Sequence, residues 1–211
     1  MGKATPGLVT GDDGTVRCWW SDGSPEYRVY HDGEWGRPVL DDQRLFEKIS
    51  LEGFQAGLSW LIVLRKREGL RKAFDGFDFR RLARSPRSRA EGLLKAPVMI
   101  RNRAKVVSVL NNARRACELV EEAGSLASFL WRFEPRPAAR PRRLTQAVLK
   151  GLTTCPEAGA LSKELKRRRW TFVGPTTLYA FMQGVGLVND HLEGCPVRPQ
   201  VERIRARLKR P

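Results

Sequence analysis

The sequence predicts an all-α fold. Apolar residues recur at helical spacing in several segments of the 211-residue chain, which is the pattern of helices that bury one face. No run of alternating apolar and polar residues is long enough to indicate a strand, and the sequence contains no internal repeat. A chain of this length suits a single domain, or two closely merged lobes, around a buried core.

The predicted helices follow apolar periodicity and end signals. The segment from residue 101 to 122 is the clearest case, because its apolar residues share one broad face and arginines occupy the rest. The predicted helices are one that begins near Asp41 and includes Leu45, Phe46, Ile49 and Phe54, one from Trp60 to Leu64 with Ser59 as its N-cap, one from Arg101 to Glu122, one from Glu157 to Arg169, and one from Thr176 to Gln183 preceded by Pro175.

Three segments lack this periodicity. Residues 1–16 are rich in Gly, Thr and Asp, and we expect them to be disordered, with order beginning near Cys18. Three prolines and four arginines within residues 134–143 predict an extended, exposed connection, either a linker or a phosphate-contacting loop. Residues 196–211 carry five arginines and one lysine among few apolar residues, so we expect a flexible basic tail.

The charge balance favours a polyanionic partner. The chain has 39 Lys and Arg against 23 Asp and Glu, a formal net charge of +16, so nucleic acid is the first partner to consider. Charge alone does not separate a DNA-binding protein from an RNA-associated basic protein or from one with a solubilising basic surface. No apolar run approaches the roughly 20 residues that cross a bilayer, and the start is too polar for a signal peptide. We therefore expect a cytoplasmic protein without a membrane partner.

Two histidine–cysteine pairs are candidate metal ligands. The only two histidines, His31 and His191, each share a short segment with a cysteine, Cys18 or Cys195. Thiolates and imidazoles are the ligands of tetrahedral zinc, but the spacing also fits two ordinary histidines and two buried thiols. The triplet from His191 to Glu193 matches the His-x-Glu of zinc deaminases, although the Cys-x-x-Cys which that chemistry needs is absent from the sequence.

Longer motifs carry a specific resemblance. They are Cys18-Trp19-Trp20, Tyr30-His31-Asp32-Gly33-Glu34-Trp35-Gly36, Leu51-Glu52-Gly53-Phe54-Gln55-Ala56-Gly57-Leu58-Ser59-Trp60, Phe172-Val173-Gly174, Phe181-Met182-Gln183 and Gly186-Leu187-Val188-Asn189-Asp190-His191. In this order they closely resemble the constitutive 3-methyladenine DNA glycosylase I family, from about Cys18 to Cys195. The resemblance implies a single catalytic domain over residues 17–195, in two merged α-helical lobes of the helix-hairpin-helix type, with the hairpin near residues 94–105.

The resemblance also implies a cofactor and a substrate. Cys18, His31, His191 and Cys195 would bind one structural Zn²⁺ that joins the two ends of the domain, since four protein ligands leave no position for a catalytic water. The substrate would be 3-methyladenine, flipped out of double-stranded DNA into a pocket. The enzyme would act as a monomer. It would hydrolyse the N-glycosidic bond without strand cleavage, because the matched pocket motifs contain no lysine for a Schiff base.

Individual roles are implied in the same way. Glu52 would be the catalytic carboxylate and would hydrogen-bond the extruded base together with Tyr30. The other expected pocket residues are Trp20 and Trp60, which would flank the base, and Tyr27 and Trp35. At the Gly57 turn, Leu58 would fill the gap that the flipped base leaves. Each aromatic residue could equally belong to the core, and Glu52 could be satisfied by a structural hydrogen bond to Tyr30.

One position departs from the family pattern. In the expected hairpin, Val98 stands where the family usually has a turn glycine, and a β-branched residue resists positive φ. Hairpin–phosphate contact should therefore be weaker, unless Arg101, Arg103 and Lys105 compensate electrostatically; these three could instead form a solvated helix face. The competing functions are a glycosylase retuned to another alkylated purine and a DNA-binding relative without catalytic activity.

Overall fold

The computed structural model describes residues 6–86 and 88–211. Eleven α-helices are found in these two ranges: α1 (Pro25–Gly33), α2 (Asp42–Gln55), α3 (Trp60–Ala73), α4 (Phe79–Ala83), α5 (Arg89–Lys95), α6 (Arg103–Ala123), α7 (Leu126–Leu130), α8 (Gln146–Gly151), α9 (Pro156–Arg167), α10 (Pro175–Gly184) and α11 (Val197–Arg207). All five predicted helices are present, and Pro175 occupies the first turn of α10 as predicted. None of the helices in the described part of the chain is long and apolar enough to cross a membrane.

The chain begins with a small sheet, so two expectations were wrong. Strands β1 (Leu8–Thr10) and β2 (Val16–Cys18) pair antiparallel, with Leu8 opposite Cys18. The prediction of a disordered start fails for residues 6–16, and residues 1–5 lie outside the described part. Strands of three residues are too short to produce an alternating pattern, which explains why the sequence did not indicate them.

The basic tail is also ordered, as α11. Val197 and Val201 lie one helical turn apart and pack with Cys18, Leu192 and Cys195 in a small apolar cluster. Expecting a flexible tail was wrong because charge dominates the composition of this segment, whereas only two or three apolar residues on one face are needed to dock a helix.

Helix α2 lies at the centre of the main core and contacts α3, α6, α7 and α10. Its apolar face supplies Leu45, Phe46, Ile49 and Phe54, which are almost fully buried. The connection over residues 134–143 is largely non-helical and mostly exposed, as predicted, and Arg140 anchors it. Arg140 lies against the buried Asp190 and donates to the hydroxyl of Tyr179 at 3.0 Å. This connection therefore packs on the face that α10 presents.

Candidate active site and metal site

A cavity of about 300 Å³ opens between α1, α2, α3 and α10. This volume is at the small end of the range for small-molecule sites and suits a single base. Its walls are mainly aromatic: Trp19, Trp20, Tyr27, Tyr30, Trp35, Glu52, Gln55, Trp60, Leu149, Leu152, Ala180 and Gln183. All six residues expected in the pocket from the sequence therefore line one cavity.

The helix ends position these aromatic residues. Ser24 caps α1, accepting from the backbone N–H of Tyr27, and Pro25 follows it in the first turn. The hydroxyl of Tyr27 accepts the backbone N–H of Leu61 at 3.1 Å, which satisfies a donor at the start of α3 that has no partner within the helix. Ser59 occupies the N-cap position as predicted, but its side chain makes no capping bond. Tyr27 thus joins α1 to α3 across the cavity.

The aromatic rings hold one another in place. Trp20 packs edge-on against Trp35, with ring centroids 4.8 Å apart, and against Tyr27 at 6.0 Å. Tyr30 lies in tilted geometry between Trp20 and Trp60, with ring centroids 6.3 Å and 5.4 Å away. The edge-to-face contacts of Trp20 are a preferred geometry of aromatic pairs. The cavity is therefore walled by rings whose orientations are fixed before any ligand enters.

Glu52 is buried at the bottom of this cavity, and its partner is a lysine. The Glu52 side chain is 4% exposed, and Lys48 Nζ lies 3.1 Å from its Oε1. Lys48 also donates to the hydroxyl of Tyr30 and lies 3.9 Å above the ring centre of Trp60. Lys48 lies just outside the matched motifs, none of which contains a lysine near the pocket. Its i, i+4 spacing from Glu52 is the signal in the sequence that could have revealed the pair.

The two charges offset each other's desolvation. Burial raises the pKa of Glu52, and the nearby ammonium of Lys48 opposes this shift. Burial likewise lowers the pKa of Lys48, against the opposing effect of Glu52. Oxygen Oε2 of Glu52 is buried without a hydrogen-bond partner. A buried acceptor of this kind costs free energy unless a donor is supplied, which makes Oε2 a candidate contact for a ligand.

A second polar group reaches the cavity from α10. Gln183 Nε2 donates to Asp190 Oδ2 at 2.9 Å, and the hydroxyl of Tyr179 donates to the same oxygen at 2.7 Å. Asp190 is completely buried, and these bonds fix the orientation of the Gln183 amide. Gln183 and Asp190 belong to motifs singled out in the sequence. Neither was given a role, because the sequence does not show that α10 forms a cavity wall.

The turn between α2 and α3 projects an apolar side chain. Gly57 has φ +74°, a conformation that side-chain-bearing residues rarely adopt, and the following Leu58 is 37% exposed. Lys105 was expected to contact phosphate, but it is 6% exposed and its Nζ donates to the carbonyl oxygen of Phe54 at 2.8 Å and to that of Ala56. That expectation was wrong because the last carbonyls of α2 lack partners within the helix, and the ammonium of Lys105 binds them instead.

The turn between α5 and α6 closes without a glycine. The N–H of Met99 donates to the carbonyl of Ala96 at 3.0 Å, and Val98 is not among the described residues with positive φ. Val98 packs on Gly69 of α3, where a Cβ would lie 2.7 Å from the Val98 side chain. Arg101 and Arg103 are exposed beside this turn, although Arg103 pairs with Glu91 at 2.8 Å.

The four candidate metal ligands converge. The ligand atoms of Cys18, His31, His191 and Cys195 lie within 4.8 Å of one another, and all four residues are buried. His191 Nδ1 is 3.2 Å from His31 Nε2, and Cys195 Sγ is 3.6 Å from each of these nitrogens. Bond lengths of about 2.0 Å to nitrogen and about 2.3 Å to sulfur give tetrahedral edges of about 3.3 to 3.8 Å. The three distances among His31, His191 and Cys195 fit these edges, whereas Cys18 Sγ lies farther out, 4.0 Å from His191 Nδ1. The cluster could hold a metal ion.

Partners around the cluster orient both imidazoles. His31 Nδ1 lies 2.7 Å from the carboxylate of Asp32, and His191 Nε2 lies 3.0 Å from the carbonyl oxygen of Trp35. Carboxylate and carbonyl acceptors of this kind hold a histidine with its other nitrogen free for a metal. The hydrogen bond between the two thiols lowers the pKa of Cys195 and raises that of Cys18.

Comparisons with known proteins agree with this geometry. Residues 19–199 match the family model described as methyladenine glycosylase. The DNA-3-methyladenine glycosylase of Haemophilus influenzae is 42% identical over 185 residues, which cover 87% of this chain and 98% of that protein. A crystal structure of 3-methyladenine DNA glycosylase I is 43% identical with a TM-score of 0.78, and the match covers 85% of this chain and 98% of that one.

A third relative concerns base recognition. It is the 3-methyladenine DNA glycosylase I of Staphylococcus aureus, whose structure was described as the basis of 3-methyladenine recognition. It is 32% identical with a TM-score of 0.78, and the match covers 84% of this chain and 93% of that one. The family model covers the residues that line the cavity, the Gly57 turn and three of the four cluster residues, His31, His191 and Cys195. The chain therefore belongs to the methyladenine glycosylase family.

Proposed function

We propose that this protein is a monofunctional DNA glycosylase that, as a monomer, excises 3-methyladenine flipped out of double-stranded DNA. The observation that carries the proposal is the unpartnered Oε2 of Glu52 inside a preformed aromatic cavity. Adenine bases offer an exocyclic amine as a donor, and alkylation at N3 makes the base cationic in DNA. Aromatic faces and a carboxylate acceptor suit such a base.

The reaction requires little activation by the protein. The bond between C1′ of the sugar and N9 of the base breaks, its electron pair leaves with the base, and water adds to C1′ with loss of a proton. The cationic base becomes a neutral leaving group, so the donor bond to Glu52 and the stacking against Trp60 and Trp20 mainly hold it in place. Lys48 is held against Glu52 and Tyr30, which supports hydrolysis without a covalent lysine intermediate.

Duplex binding is assigned to two exposed turns. Leu58 projects from the glycine turn and would fill the gap left by the flipped base. The segment from residue 94 to 105, which we propose as the helix-hairpin-helix element, presents Arg101 and Arg103 to the phosphate backbone. Contacts of this type release counterions, so binding should weaken steeply with salt.

We further propose that Cys18, His31, His191 and Cys195 bind one structural Zn²⁺. Bound zinc would cross-link the β2–α1 region to the segment before α11. The test is zinc content per chain, with Cys117→Ala as the matched control because Cys117 is partly buried and outside the cluster. Wild type and Cys117→Ala should hold one zinc each, and Cys195→Ala should lose it and unfold at lower temperature. Stoichiometric zinc in Cys195→Ala would remove this residue from the ligand set.

The test of the function is release of free methylated bases from randomly methylated duplex DNA, resolved by chromatography. Wild type should release 3-methyladenine. Glu52→Gln should fold but release it about 10- to 100-fold more slowly, the loss expected for a hydrogen bond to a charged group. The control is Glu118→Gln, which alters an exposed carboxylate on α6. If zinc-replete wild type binds the DNA but releases no purine, the protein is a DNA-binding relative without this activity.

A further inference from the structure

The buried Lys48 is not required by the proposed chemistry, yet the fold makes specific room for it. Gly184 near the end of α10 is buried, and a Cβ there would lie 2.1 Å from Lys48 Cε, 2.7 Å from Lys48 Nζ and 3.0 Å from the Tyr30 hydroxyl. No real Cβ tolerates such distances, so any other residue at 184 would displace the lysine. Lys48 and Gly184 are thus a matched pair in this chain.

Lys48 pairs with Glu52, which is the only carboxylate among the described residues that line the cavity. Its ammonium lies 3.1 Å from Glu52 Oε1 and stacks over the rings of Trp60 and Tyr30 at 3.9 and 4.5 Å. Oε1 is therefore taken, and Oε2 alone is left for a ligand. The cation also occupies faces of two rings that would otherwise be available to attract a positively charged base.

Most of the other charged groups around Lys48 and Glu52 are paired with one another. From α1 and α3, the nearest charged groups are Glu34 and Arg67, which pair with each other at 2.7 Å. Other groups on the far side of Lys48 are Arg44, Glu47 and Arg71, of which Glu47 and Arg71 are paired at 2.8 Å. Tyr30 contributes a hydroxyl. The charge that a base meets at the bottom of the cavity is therefore set by Lys48 and Glu52 together.

We propose that Lys48 is a positioning and specificity residue: it orients Glu52 with Oε2 open and cancels the negative charge of the cavity. Recognition then rests on the hydrogen bond from the exocyclic amine of the base to Oε2, not on the positive charge of the alkylated base. The cavity accepts neutral 3-alkylated aminopurines nearly as well as cationic ones. This inference rests on the proposed base-binding function of the same cavity.

The test uses two probes that differ only in charge. They are 3,9-dimethyladeninium, which is a cation, and 3-deaza-3,9-dimethyladenine, its neutral isostere, both titrated by quenching of tryptophan fluorescence. The titrations are made at about pH 8, where N1 of the deaza probe is unprotonated and the probe is neutral. The two dissociation constants for wild type should then agree within about threefold. For Lys48→Met at the same pH, the cation should gain about tenfold over the neutral probe, because Glu52 then lacks its counter-ion.

Two further variants separate charge selectivity from folding. Lys163→Met removes an equal charge from the exposed face of α9 and should behave as wild type. Gly184→Ala keeps both charged residues but displaces Lys48, so it should shift selectivity in the same direction as Lys48→Met. An unchanged ratio of the two dissociation constants in both Lys48→Met and Gly184→Ala overturns the role of Lys48. Failure of wild type to bind either probe overturns the proposed base site itself.

Discussion

Replacing Lys105 by methionine tests whether this side chain stabilises the turn between α2 and α3 that presents Leu58. Lys105 Nζ donates to the carbonyl oxygens of Phe54 and Ala56, immediately before Gly57 and Leu58. Methionine keeps the buried stem but removes both bonds. Hydrogen bonds from charged donors contribute about 1.5 to 3 kcal/mol each, and part of this offsets the cost of burying the ammonium. We expect a net destabilisation of about 2 to 3 kcal/mol.

Lys105→Met should reduce activity on duplex DNA more than it reduces affinity for the free base. With its last two carbonyls unpaired, the end of α2 would fray, and Leu58 would no longer be presented rigidly to the base stack. Release of 3-methyladenine from duplex DNA should fall at least tenfold, whereas the affinity for free 3-methyladenine, followed by tryptophan fluorescence, should change less than threefold. Urea unfolding measures the change in the free energy of unfolding.

The matched control is Lys95→Met, which removes an exposed charge from the end of α5 in the neighbouring hairpin. It should leave stability unchanged and affect duplex binding only through salt-dependent electrostatics. Equal losses of duplex activity and free-base affinity in Lys105→Met would mean that this lysine supports the whole fold. Wild-type stability together with wild-type duplex activity would refute the reasoning altogether.

Two other perturbations follow from the geometry. Leu58→Ala should cost little stability, because the side chain is 37% exposed, but should slow release from duplex DNA more than from single-stranded DNA; equal slowing on both substrates would contradict its role as a wedge. Burial tends to raise the pKa of Glu34, and two bonds from Arg67 outweigh it, so the net shift is downward. The stability from this pair is therefore present above the normal glutamate pKa and lost as pH falls through the lowered one. As the pH falls from about 5 to about 3, the free energy of unfolding should decrease more for wild type than for Arg67→Met. Parallel curves of unfolding free energy against pH would show that the pair contributes nothing.

The sequence determined the helical class, the positions of five helices and six of the residues that line the pocket. Periodicity predicted α2, α3, α6, α9 and α10, because each buries an apolar face against the same core. The motif around Glu52 and the two histidine–cysteine segments carried enough specific residues to indicate a base pocket and a metal site. The clustering of those four ligand residues, which are up to 177 positions apart in the chain, agrees with that expectation.

Only the tertiary structure decided the polar contacts of the site. Lys105 is indistinguishable in the sequence from a surface lysine, because its burial depends on the carbonyl oxygens at the end of another helix. The spacing of Lys48 from Glu52 indicates a pair but does not show that the pair is buried. The docking of α11 and the pairing of β1 with β2 likewise depend on a few apolar contacts with distant segments, which composition conceals. The Val98 turn closes because Gly69 on another helix leaves space for a side chain. Local pattern specifies which face of an element is apolar, whereas partners for buried charges are supplied by residues remote in the chain.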